Sequence, residues 1–156
     1  MKKLLILIVP LLFIFSSCTK EITKVQQVDQ AFSAVYTIQT GGWTTDNNGL
    51  SYTAQINIPE LDNTVYQNGA VLVYLSFSGT SYYEAIPEVF DGIAYGVIHS
   101  NGYVGIDISA LSGDAINAPK QTISAKVVLI DATALSLHKD VNFNDLNAVK
   151  QAFNVK

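Results

Sequence analysis

Cys18 is the only thiol in this 156-residue chain, and His99 and His138 are its only imidazoles. A thiol serves as a nucleophile, a metal ligand or a point of covalent attachment. A structural zinc site needs several Cys and His at close spacing, which two distant histidines and one cysteine do not provide. Neither histidine stands in a recognisable triad context, and no Gly-x-Ser-x-Gly elbow is present. His99 reads as a solvated strand-end residue. A glycosidase pair needs two carboxylates about 5–9.5 Å apart across a cleft. Glu84 and Glu88 flank Ile86-Pro87, and Asp107 and Asp131 lie near strand ends, but spacing alone brings no two of them together. Asp46-Asn47-Asn48-Gly49 superficially resembles part of a calcium loop. It lacks the later ligands, and these residue types dominate plain turns. No cofactor is implied.

The aromatic residues offer a different chemistry. Tyrosine and tryptophan present a flat apolar face with a polar tip, which suits a sugar ring or a protein partner. Tyr36, Tyr52 and Tyr74 fall in strand patterns and read as packing residues. Trp43 follows Gly41-Gly42, and Tyr82-Tyr83 follow Gly79. These three read as loop aromatics and are the candidate ligand contacts.

The elements that must position them begin after a leader. Met1-Lys2-Lys3 is a positive start, residues 4–15 are a twelve-residue apolar run containing Pro10, and Ser16-Ser17-Cys18 are small. That order predicts an export signal. A spanning helix needs about 20 apolar residues, so a signal core fits better than a retained anchor. Phe15-Ser16-Ser17-Cys18 resembles a bacterial lipobox, which implies that Cys18 becomes the lipid-bearing first residue. One acyl chain gives binding of only about 10⁴ M⁻¹, and stable anchoring takes two or more. Bacterial lipoproteins carry two or three, so the resemblance implies stable attachment to a membrane.

The expected organisation is a signal peptide over 1–17, lipidated cysteine and tether over 18–30, and one domain over 31–156. The mature chain then has 139 residues, enough for one core, and no internal disulfide. Seven lysines face thirteen acids, a formal charge of −6, and there is no arginine. Nucleic-acid binding needs clustered basic residues, so the balance argues against it. The missing arginine also removes the usual bidentate clamp for phosphate or carboxylate.

Residues 19–30 (TKEITKVQQVDQ) are polar and read as a tether. A short amphipathic helix using Ile22, Val25 and Val28 is the alternative. From Ala31 the period is two. Ala34, Tyr36 and Ile38 alternate with Val35, Thr37 and Gln39, and Tyr52, Ala54, Ile56 and Ile58 alternate with polar residues. Residues 71–77 are apolar on both faces, as a central strand is, and residues 123–130 are another strongly apolar strand. Turn signals separate the runs: Gly41-Gly42, Asn68-Gly69, Asp91-Gly92 and Asn101-Gly102, the last being the best hairpin candidate. A C-terminal helix is expected from Asn144-Asp145-Leu146 to about Phe153, capped by Asn144, with Leu146, Val149, Ala152 and Phe153 on one face. The predicted fold is all-β: an antiparallel β-sandwich, with a small β-barrel as runner-up, plus this short helix docked on it.

The chain resembles the small uncharacterised lipoproteins common in Bacteroidota. The matching stretches are the start with FSSCTKE at 15–21, VYTIQ at 35–39, NGAVLVYLSF at 68–77 and IPEVF at 86–90. VVLID at 127–131 and VNFNDLNAVKQAFN at 141–154 complete the set. The resemblance spans most of the mature chain and implies no activity. In that phylum a lysine followed by acids after the cysteine resembles an outward-export signal. Lys20-Glu21 matches in part, with Ile22 where a second acid would stand. The expected address is the outer membrane, facing either outward or into the periplasm. The expected function is non-catalytic binding of a glycan or protein, ahead of a structural or assembly role, with a hydrolase last.

Overall fold

A computed structural model describes residues 31–77 and 81–156. The expected signal, Cys18 and the expected tether lie outside the described residues.

Sheet one has the order β1 (Ala31–Ile38), β9 (Ile123–Ile130), β4 (Ala70–Phe77), β5 (Glu84–Ile86). Sheet two has the order β2 (Trp43–Thr44), β3 (Ser51–Asn57), β8 (Tyr103–Ala110), β7 (Ile93–Ser100), β6 (Glu88–Phe90). Every neighbouring pair is antiparallel. The two sheets do not close on one another, so the architecture is a sandwich and not a barrel. The chain passes between sheets at Pro87, between β5 and β6.

β9 explains its own composition. It is paired along its full length with β1 on one side and β4 on the other. Ile123, Ala125, Val127 and Leu129 enter the core between the sheets. Val128 and Ile130 enter a second cluster on the opposite face. A strand buried on both faces loses the period of two. The second cluster is covered by α2 (Ala132–Leu137) and α3 (Leu146–Phe153), which pack on the outer face of sheet one. The molecule therefore has three layers: sheet, sheet, helices.

α3 docks as its pattern requires, with Val149 and Phe153 buried and Leu146 and Ala152 beside them. Its cap is Asp145, not Asn144. One Asp145 carboxylate oxygen accepts from the N–H groups of Asn147 at 2.8 Å and Ala148 at 3.4 Å. A carboxylate satisfies these orphan donors and also complements the positive helix end. Asn101 and Gly102 link β7 to β8 in a two-residue hairpin. Asn68-Gly69, read as a turn, instead ends α1 (Asn63–Asn68). A Cβ on Gly69 would sit 2.4 Å from the Ile130 carbonyl oxygen, so this close approach requires glycine.

Candidate functional site: two clefts beside β5

The Trp43 placement in a loop is corrected by the structure. Gly41 and Gly42 belong to a single 3₁₀ turn, after which Trp43 opens β2 opposite Ala54. Only 7% of Trp43 is exposed, and it belongs to the inter-sheet core. Its indole N–H has no acceptor among the described residues, so packing alone holds the ring. Trp43 therefore has no face to offer a ligand. Tyr82 and Tyr83 sit elsewhere, together, at the mouth of a cleft on the helix side of sheet one. Tyr82 is 76% exposed, whereas Tyr83 packs partly against the helix-side cluster.

The larger cleft opens between the sheets, with a volume of about 750 Å³. Its wall is three rings from three strands. Phe77 of β4, Phe90 of β6 and Tyr95 of β7 pack edge to face, with centroids 5.3–5.6 Å apart. Register explains the convergence: Phe90 is opposite Ile93, so Phe90, Ile93 and Tyr95 share the inner face of sheet two. Asp91 and Gly92 form the β6–β7 turn, both with positive φ, and set Asp91 on the rim. Glu84 and Gln121 complete it. Burial, and then the Asp91 charge, push the Tyr95 hydroxyl above its ordinary value, which keeps it a proton donor. A recess of about 340 Å³ continues past Tyr95 toward Ile116, Asn117 and Lys120.

The helix-side cleft, of about 460 Å³, differs in character. Lys126 of β9 lines it and is only 7% exposed. Its ammonium donates to the main-chain oxygen of Lys156, which also accepts from Ser33 Oγ at 3.4 Å. Lys150 of α3 lines the same space. Burial foremost, and then the Lys150 charge, lower the Lys126 ammonium below the usual lysine value. Next to Lys126 across the β4–β9 ladder is Tyr74, wholly buried, whose hydroxyl donates to the Phe143 carbonyl at 2.7 Å. Burial, and then Asp145, push that hydroxyl up to about 12.

The other residues with chemical potential are dispersed. His99 packs edge-on against Tyr66 and His138 against Phe153. Asp107 accepts from Thr53 Oγ1 on sheet two, and Asp131 caps α2 on the far side of sheet one. The Asn47 side chain accepts from the Ser51 N–H at 2.9 Å, closing its turn on itself. Among the described residues no three His, Cys, Asp or Glu side chains converge as metal ligands, and no helix is long and apolar enough to cross a membrane. The aromatic wall escaped sequence reading because its rings come from both sheets. The one available clue was the Asp91-Gly92 turn, which folds Phe90 back toward Tyr95.

Compared with known proteins, the chain matches no family model, no curated protein and no solved structure.

Proposed function

We propose that this chain is a membrane-tethered, non-catalytic domain of the cell envelope that binds a neutral glycan in the cleft between its sheets. The observation that carries the reading is the wall of Phe77, Phe90 and Tyr95 with Asp91, Glu84 and Gln121 on its rim. The C–H face of a sugar ring lies well on aromatic carbon, and its hydroxyls donate to carboxylates and amides. The cleft volume lies within the range of ordinary ligand pockets. The lipid on Cys18 supplies the tether in this reading, which makes the chain a lipoprotein of the outer membrane.

The test is a calorimetric screen of the full chain, in detergent, against neutral oligosaccharides. A binder is expected. Asp91→Asn, which keeps the left-handed turn accessible, and Gln121→Ala should each weaken it about tenfold, equivalent to about 1.4 kcal/mol. Absence of any neutral-sugar binding, or binding indifferent to both variants, would remove the reading. The sugar should be recovered intact; cleavage would make Glu84 and Asp91 a hydrolytic pair instead.

One observation favours a second reading, assembly through a sheet edge. Three of the four edge strands are two or three residues long, whereas β1 has eight residues and no charge. Long uncharged edges invite strand addition. Replacing Val35, which is 51% exposed on β1, by lysine should then abolish a partner complex while leaving sugar binding unchanged.

A further inference from the structure

We infer that the recess past Tyr95 is a subsite for an acetamido group, so that the ligand of the inter-sheet cleft is an oligosaccharide of N-acetylhexosamine. The inference rests on the neutral-glycan reading and names the sugar. Ile93, Tyr95 and Gln121 line the recess and the main cleft alike, so the two spaces adjoin across these side chains. The recess holds about 340 Å³ against about 750 Å³ in the cleft. The larger space, with its three aromatic rings, suits the faces of sugar rings, and the smaller one suits a group that a ring carries.

One wall of the recess comes from residues 111–122, which join β8 to β9 without a helix or strand. Such a connection is at the long end for a compact domain, and loops of this kind commonly carry function. This one is held at two points. The Leu111 N–H donates to the Gly92 carbonyl at 2.9 Å, and the Ile116 N–H donates to the Gly49 carbonyl at 2.8 Å. Ile116 also packs against the inter-sheet core. The wall is thus formed before any ligand arrives, as binding sites usually are.

The lining divides into two kinds. Ile93, Ile108, Ile116 and Pro119 are apolar, and Ile108 is only 2% exposed. Asn117 and Gln121 are exposed amides, and neither side chain is hydrogen-bonded to protein among the described residues. A sugar hydroxyl placed on the apolar carbons would lose water and gain no partner. An acetamido group carries a methyl for those carbons and, beside it, one N–H and one C=O. Side-chain amides supply the matching acceptor and donor. A bare methyl, as on a 6-deoxy sugar, would leave the amides unused. Lys120 is the one cation in the lining and is exposed, while Glu84 and Asp91 stand on the rim of the adjoining cleft. The combined site therefore has no positive excess to select an acid.

The test compares triacetylchitotriose with cellotriose, two β1,4-linked trisaccharides that differ only in the group on C2, by calorimetry on the full chain in detergent. Triacetylchitotriose should bind at least tenfold more tightly, and saturation-transfer NMR should place its strongest signal on an acetamido methyl. Asn117→Ala, in the exposed loop, should weaken triacetylchitotriose about tenfold and erase most of the preference. Asp91→Asn, in the main cleft, should weaken binding while keeping the preference. If cellotriose binds as tightly as triacetylchitotriose, the inference fails and the neutral-glycan reading stands. If neither binds, the inference fails, and the glycan reading falls with it when no other neutral oligosaccharide binds either. The inference also fails if the preference survives in folded Asn117→Ala. Equal binding of the deacetylated trisaccharide would overturn it as well, since the acidic rim would then be attracting an amine.

Discussion

The two faces of sheet one differ in kind, although the same strands build both. The centre of the face toward sheet two is apolar, with Val73, Leu75, Ala125, Val127 and Leu129 buried. The face toward the helices mixes Val128 and Ile130 with Tyr74, Ser76 and Lys126, all buried. One face holds the sandwich together. The other accepts polar groups because a helix layer can supply main-chain oxygens to them, as Phe143 does for Tyr74 and Lys156 for Lys126. The difference teaches where this fold tolerates buried polar side chains: among the described residues Ser76 and Lys126, and the Tyr74 hydroxyl, lie on the helix face.

The comparison breaks most sharply in the inter-sheet face. Leu75→Ala removes a wholly buried side chain from a layer with no polar rescue, and should cost about 2–5 kcal/mol, read as a lowered denaturation midpoint. A loss under about 1 kcal/mol would mean that this layer is not the stabilising one. On the helix face, Tyr74→Phe should cost about 1–3 kcal/mol, because the Phe143 carbonyl loses its donor.

The same residue gives a pH signature. The folded hydroxyl is pushed up to about 12 and the unfolded one titrates near 10. The native state thus keeps its proton longer. Stability is unaffected below about pH 10 and falls as pH rises toward 12. Tyr74→Phe should flatten the stability curve across that window, and an unchanged slope would contradict the burial argument. The smallest effect is expected at Lys126. Lys126→Met should cost no more than about 1 kcal/mol, because the Lys156 oxygen that loses the ammonium still accepts from Ser33 Oγ. A large loss would make Lys126 structural and erase the contrast between the faces.

Much of the architecture was legible in the sequence. The alternation across 52–58, the apolar runs at 71–77 and 123–130 and the Asn101-Gly102 hairpin all correspond to strands, and the face of α3 is readable from its 3.6 period. What was not legible has physical causes. β2 is two residues long, too short for any period, so Trp43 read as loop while pairing with Ala54 placed it in the core. α1 and α2 have six residues each and exist only because the sheets support them. Asn144 and Asp145 are equally good caps by type, and only geometry chose between them. The candidate clefts were the least legible part. Tyr82 and Tyr83 were marked by their position after a glycine, but the groups that give their cleft its character, Lys126 and Lys150, come from a central strand and a helix. The rings of the other cleft come from three strands, and their meeting depends on strand order, which local patterns do not encode.

The most direct measurement is chemical-shift mapping of the isotope-labelled full chain in detergent, titrated with a neutral oligosaccharide taken from the screen. The account predicts shifts in the amides of Phe90, Asp91, Tyr95 and Gln121, with α3 and Lys126 unmoved. Shifts centred on α3, or spread along β1 with none at the aromatic wall, would contradict it.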